Sequence, residues 1–214
     1  MTILALADWF DQLRVTRVTW SLPASGDVVE VQGGTVQIVT RTTRQWEAEL
    51  QFSVAAVEDA RATEALLDIV GAPDTAVEVK PAPWSAPAYD PTGSLITGYS
   101  PTVSAIGTDG QSITLSGMPA GYVLAPGDFI GVSDADVTGD RMNRLYRCRS
   151  TATADGTGTI GPITVSPLID TMVEVGQPVT IKNPVMIGMA LPSSLQRGSA
   201  RKSSVEGATL VIRQ

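Results

Sequence analysis

The chain has no histidine among its 214 residues. That removes the commonest general base, the commonest metal ligand and the side chain that switches charge near neutral pH. Cysteine is almost as scarce: Cys148 stands alone, so no intramolecular disulfide forms and folding does not depend on oxidation. As a nucleophile it would lack a histidine partner, and it sits within a strand-like run between Arg147 and Arg149, so it reads as a buried structural thiol. Charge is thin at 17% of residues, against about a quarter in ordinary domains. A surface so poor in charge suggests one largely covered by other subunits. With 15 basic against 22 acidic residues and a net charge of −7, the chain is unsuited to coating nucleic acid, which needs clustered Lys and Arg. The N-terminus has no basic leader, and Ile3 to Ala7 is too short an apolar run for a signal peptide or membrane span. Synthesis in the cytosol, without membrane insertion, is the expectation.

A hydrophobic content of 43% is ample for a packed core. Ile3, Leu6, Ala7, Phe10 and Leu13 recur at a spacing that predicts an N-terminal helical segment. Strands are predicted at Val15–Leu22, Val28–Gln32, Thr35–Thr40 and Trp46–Val54, rich in Val, Thr and aromatics. One helix follows over 58–70. Its N-terminal Glu58 and Asp59 favour the positive end of the helix dipole, and Ala62, Ala65, Leu66, Ile69 and Val70 form an apolar stripe. Gly71 and Pro73 stop it. The segment 81–91 carries four prolines in eleven residues and reads as an extended connector, hence a domain boundary.

Beyond it, turn signals at Asp109-Gly110, Pro126-Gly127-Asp128, Asp155-Gly156 and Gly176 separate short strands between 102 and 181. The runs at 124–132, 145–154 and 160–168 read as an antiparallel meander inside a small, closed or nearly closed barrel. The strands expected at 186–190 and 208–213 would return to the first sheet. The predicted fold is therefore mainly β: a split β-barrel or sandwich domain with one helix, from residues 1–91 and 183–214, plus an inserted small OB-like barrel from 92–182.

Gly156-x-Gly158-x-x-Gly161 has the spacing of a dinucleotide fingerprint, but that motif must end a strand and open a helix. Here strand-like Pro162-Ile163-Thr164-Val165 follows, so the glycines read as hairpin glycines and no cofactor is expected. Asp134, Asp136 and Asp140 lack the further acid and distal Glu of a calcium loop, and read as an exposed loop rather than a metal site. Arg141, Arg144, Arg147 and Arg149 form a basic cluster, either a solvated strand face or a subunit contact. Arg197, Arg201 and Lys202 lie in a Ser-rich loop. The last 32 residues hold four bases and one acid, and the first 91 hold thirteen acids and six bases. This asymmetry suits head-to-tail subunit contacts and equally a self-complementary monomer. Together with Arg41 and Arg44 of a predicted hairpin tip, these residues are the candidate contact set. No carboxylate pair or Ser-based arrangement stands in a catalytic context, so no enzyme activity is expected. An alternative is a module whose barrel binds a glycan or other ligand through Tyr99, Tyr122, Phe129 and Tyr146.

Several short motifs occur in a recognisable order. Trp20-Ser21-Leu22 is followed by Thr40-Arg41 and Gln45-Trp46, a helix, the Pro/Trp connector and Gly127-Asp128-Phe129. Then come Leu145-Tyr146-Arg147, Ala152-Thr153-Ala154-Asp155-Gly156 with Gly158, and Val165-Ser166-Pro167-Leu168. This layout resembles the distal tail proteins of long-tailed, non-contractile bacteriophages. The resemblance implies a structural virion protein at the tail tip, without catalytic residues. It further implies a homo-oligomeric ring, usually hexameric, joining the tail tube protein to the baseplate hub protein, with the tape-measure protein a further neighbour. The short second domain, about 90 residues, leaves little room for a large carbohydrate-binding appendage.

Overall fold

The computed structural model describes the chain except residues 14, 24–25, 32–34, 41–43, 54–56, 83, 136–140, 197–198 and 201–204. Side chains are described outside 14, 24–43, 53–60, 83, 134–142 and 197–207. The fold is mainly β. Its strands begin with β1 (Thr2–Leu4), β2 (Val15–Ser21), β3 (Gly26–Val31), β4 (Thr35–Thr40) and β5 (Glu47–Ser53). Helix α1 (Val57–Val70) and β6 (Thr75–Val79) follow. The middle of the chain supplies β7 (Thr102–Ile106), β8 (Ser112–Ser116), β9 (Val123–Leu124), β10 (Phe129–Ala135) and β11 (Arg141–Cys148). It continues with β12 (Ala152–Thr153), β13 (Ile160–Ser166) and β14 (Val179–Thr180). The chain ends with β15 (Met186–Ala190), β16 (Ser199–Ala200) and β17 (Val205–Arg213).

Two sheets carry the architecture. The first runs β1-β6-β15-β17-β5-β2, with β16 on β17, so the C-terminal strands lie at its centre. Alternation explains its register. Ala48, Leu50 and Phe52 of β5 are buried, and their cross-strand partners Ile212, Leu210 and Ala208 are buried too. A one-residue slip would turn all six outward. Burying each of the two leucines stabilises by about 1.5–3 kcal/mol.

The second sheet runs β14-β10-β11-β13-β8-β7. The predicted meander at its centre is present as antiparallel β10, β11 and β13. Its strands do not form one continuous closed barrel. The edge strands β7 and β14 are linked instead by an isolated bridge, Thr102 with Pro178, and by backbone bonds from Val103 to Gln177 and from Gly176 to Val103.

One core contains only residues between Ile96 and Ile181. The other gathers residues 9–79 and 186–212, together with Phe129 and Leu145. The chain enters and leaves the middle segment side by side, Asn183 N–H donating to the Ser85 carbonyl at 2.6 Å.

The N-terminus departs from the predicted helix. Thr2–Leu4 pairs in parallel with Thr75–Val77, and only Leu6–Asp8 is helical, as a 3-10 turn. Tertiary burial overrides the local pattern: Trp9, Phe10 and Leu13 all enter the core, and the Trp9 indole donates to the Glu78 carbonyl at 2.9 Å. Helix α1 is where expected, but its buried face is rotated. Leu67 and Val70 are buried, Ala62 and Ala65 are exposed, and Ile69 is half exposed. Two alanines carry less apolar surface than one leucine, so Leu67 sets the orientation.

Strands β2 and β5 pair as far as Ser21 with Glu47, and β3 pairs with β4 from Gly26 with Thr40 to Val31 with Thr35. Among the described residues the β3–β4 pair forms a two-stranded sheet of its own.

Candidate functional site

Strands β10 and β11 have two inward faces. Ile130, Val132, Tyr146 and Cys148 point into the core of the middle segment. Phe129 and Leu145, one residue out of phase, join the other core. Arg147 shares the phase of Leu145 and is the cross-strand partner of Phe129. Strand alternation therefore aims its guanidinium at the junction between the cores, against Trp46 and Phe129.

The guanidinium carbon lies 4.7 Å from the ring centroids of both Trp46 and Phe129. These two rings are 5.8 Å apart, Trp20 packs edge-on to Trp46 at 6.1 Å, and Trp84 lies 6.3 Å from Phe129. Such contacts stabilise a cation by about 0.5–2 kcal/mol each. Among the described residues no carboxylate pairs with Arg147, and its guanidinium makes no hydrogen bond. Burial pulls its pKa down. Among the described residues the indole N–H groups of Trp20 and Trp46 are buried without an acceptor.

Arg147 and Phe129 line a cleft of about 350 Å³ with Trp84, Ala86 and Ala88 of the connector, the 126–128 turn and Ile181. Trp84, 54% exposed, stands at this cleft. Its volume falls in the range of small-ligand sites.

Of two buried aspartates nearby, Asp128 holds the cleft's walls and Asp90 anchors the segment that follows the connector. Asp128 accepts from the Ala88 N–H at 2.9 Å and the Ala125 N–H at 2.8 Å, tying connector to turn. Asp90, 2% exposed, accepts from the N–H groups of Ser94, Leu95 and Ile96 and from the Tyr122 hydroxyl. Desolvation, helped by the Asp90 charge, raises the Tyr122 pKa. Each carboxylate thus has structural partners of its own.

The other predicted contact residues scatter. Arg144 forms an ion pair with Asp170 at 3.2 Å, and the Asp170 N–H donates to the buried Tyr146 hydroxyl. Arg149 is exposed, and Arg44 donates to the Leu22 carbonyl. Arg44, Arg144, Tyr146 and Asp170 line a second hollow of about 230 Å³. The Arg141 backbone belongs to β11, and its side chain lies outside the described residues. Arg41, Arg197, Arg201 and Lys202 also lie outside them, as do Asp136 and Asp140. Of the ring-bearing candidates Tyr99, Tyr122, Phe129 and Tyr146, only Tyr99 is exposed. Two further exposed aromatics, Trp84 and Tyr89, come from the connector.

Gly156 and Gly158 occupy the turn between β12 and β13, and Gly161 lies within β13 rather than in a hairpin turn. Asp155 accepts from the N–H groups of Thr157 and Thr159, and β13 rather than a helix follows. Gly158 has φ +80°, and a Cβ there would lie 2.3 Å from the Met118 carbonyl oxygen. Close backbone approach, not phosphate binding, explains it. Cys148 is 1% exposed, and burial, followed by the Asp128 charge, pushes its pKa up to about 12.

Sequence reasoning included Arg147 but missed Trp84, Asp90 and Asp128 as a group. Their signals were the Trp inside the proline connector and the two aspartates at turn positions. A scan against protein-family models finds no match for this chain, and a search of curated proteins finds no significant one.

Proposed function

We propose that the chain is a structural virion protein that forms a ring at the distal end of a phage tail, connecting the tail tube to the baseplate hub. In this reading residues 1–91 and 183–214 form the ring, and 92–182 is an insertion carried on it. The observation that carries the reading is the β3–β4 pair. Among the described residues its two strands pair only with each other, over six residue pairs, and five residue steps extend about 17 Å. A two-stranded hairpin is marginal on its own in water, and both its edges offer unpaired backbone groups. A neighbouring copy can satisfy those edges, and closing the ring removes them for every subunit. The sequence resemblance and the low surface charge support the same reading.

The test removes residues 26–40, replacing them with a short Gly-Ser link. Light scattering after size exclusion, with tail tube protein added, should show rings for the intact chain and monomers for the deletion, both with the same far-ultraviolet signature of the remaining sheets. An intact chain that stays monomeric beside its tail partner, or a deletion that still forms rings, overturns the reading.

A further inference from the structure

We propose that the cleft between the connector and the β10–β11 pair binds a carboxylate carried on a ring-shaped body, with Arg147 taking the carboxylate and Trp84 the ring. The inference goes beyond assembly into a ring and is independent of it. Two observations carry it. Arg147 is a cation held against two aromatic rings with no carboxylate or hydrogen-bond partner among the described residues, and it lines an open cleft. Charges withdrawn from water are normally paired, so a half-buried, unpaired guanidinium at a cleft marks a place for an anion from outside. The only acid lining the cleft, Asp128, has one oxygen on the Ala88 N–H and the other on the Ala125 N–H.

The cleft's shape selects among anions. A guanidinium meets a carboxylate edge to edge through two parallel N–H bonds. Phosphate sites usually recruit several cations or backbone N–H groups. This cleft offers one arginine, an exposed indole and the apolar walls Ala86, Ala88, Phe129 and Ile181. A flat carboxylate attached to a ring of about saccharide or phenyl size suits that combination, the ring face lying on Trp84. Acidic sugars and aromatic acids share this chemistry.

The experiment titrates the full chain with glucuronate and benzoate, and with glucose, benzyl alcohol and inorganic phosphate as counter-probes, following tryptophan fluorescence and heat. Dissociation constants on the order of 1 mM are expected for the better of the two carboxylates. Its neutral counterpart and phosphate should bind at least tenfold more weakly. Which of the two carboxylates binds better separates an acidic sugar from an aromatic acid. Trp84→Ala, at an exposed position, should weaken carboxylate binding at least fivefold with unchanged thermal stability. Arg147→Met should abolish the preference for carboxylate over its neutral analogue, and Arg147→Lys should restore only part of it. Equal binding of charged and neutral probes, phosphate binding as tight as the carboxylates, or no effect of Trp84→Ala overturns the proposal. So does an Arg147→Met variant that loses self-association while the titrations stay as in the wild type, which would assign the arginine to a protein contact. Because Trp84→Ala and the probe series do not depend on Arg147→Met folding, the outcome is decisive either way.

Discussion

Replacing Phe129 by leucine keeps most of the side-chain volume and removes the ring on which the junction is built. The Phe129 ring lies 5.8 Å from Trp46, 6.2 Å from Trp20 and 6.3 Å from Trp84, and Arg147 sits 4.7 Å above it. A near-isosteric swap in a core costs up to about 1.5 kcal/mol. Loss of aromatic pairing adds about 0.5–1.5 kcal/mol, and loss of the cation contact about 0.5–2 kcal/mol. Phe129→Leu should therefore destabilise the chain by about 2–4 kcal/mol, and Phe129→Ala by a further 1–2 kcal/mol, roughly, from the larger cavity. Urea denaturation measures this, with far-ultraviolet circular dichroism and tryptophan fluorescence followed in parallel. All four tryptophans, Trp9, Trp20, Trp46 and Trp84, lie outside residues 92–182, so fluorescence reports the first core and the junction selectively. A double-mutant cycle with Arg147→Met isolates the cation contact and should give a coupling of about 0.5–2 kcal/mol. A Phe129→Leu cost below about 1 kcal/mol, or a coupling indistinguishable from zero, refutes the view that ring and guanidinium together join the cores.

Asp90→Ala removes the acceptor for three backbone N–H groups and the Tyr122 hydroxyl, and should cost about 2–4 kcal/mol in urea denaturation, with Asp90→Asn costing less; a change within 0.5 kcal/mol, roughly the scatter of surface substitutions, refutes the assignment. Alkaline pH should also destabilise the fold. Cys148 is held neutral up to about 12 against an ordinary 9.0, and burial likewise pushes Tyr146 from 10.0 up to about 12. The unfolded chain loses these protons first, so the stability they contribute is complete below pH 9 and falls between pH 9 and 12, by up to about 1.4 kcal/mol per pH unit for each group. Cys148→Ala should reduce that slope above pH 9, and an unchanged slope refutes the assignment. Iodoacetamide should leave Cys148 unmodified in the native chain at pH 8 and alkylate it in urea; rapid native alkylation contradicts its burial.

Much of the fold was legible from the chain alone, because it rests on local rules. Apolar and β-branched runs between turn signals placed β5, β7, β8, β10, β13, β15 and β17 within a few residues. Gly156 and Gly158 declared themselves as turn glycines because β-branched residues follow them, and those residues form a strand that takes in Gly161 as well. The composition also determined that neither histidine chemistry nor a disulfide has any part in this protein. Tertiary structure decided the rest. The apolar spacing of residues 3–13 suits a helix, yet an open edge on β6 and room for Trp9 in the core draw Thr2–Leu4 into the sheet instead. Alternation along β11 puts Arg147 on the face opposite Tyr146 and Cys148, but cannot say what that face meets. Only packing shows that it meets Trp46 and Phe129 rather than water, because those rings come from strands and segments up to about a hundred residues away in the chain and long-range contacts leave no periodic trace in sequence. The same holds for the cleft: its walls are the connector and the β10–β11 pair, joined through the two oxygens of Asp128, and no stretch of sequence contains them both.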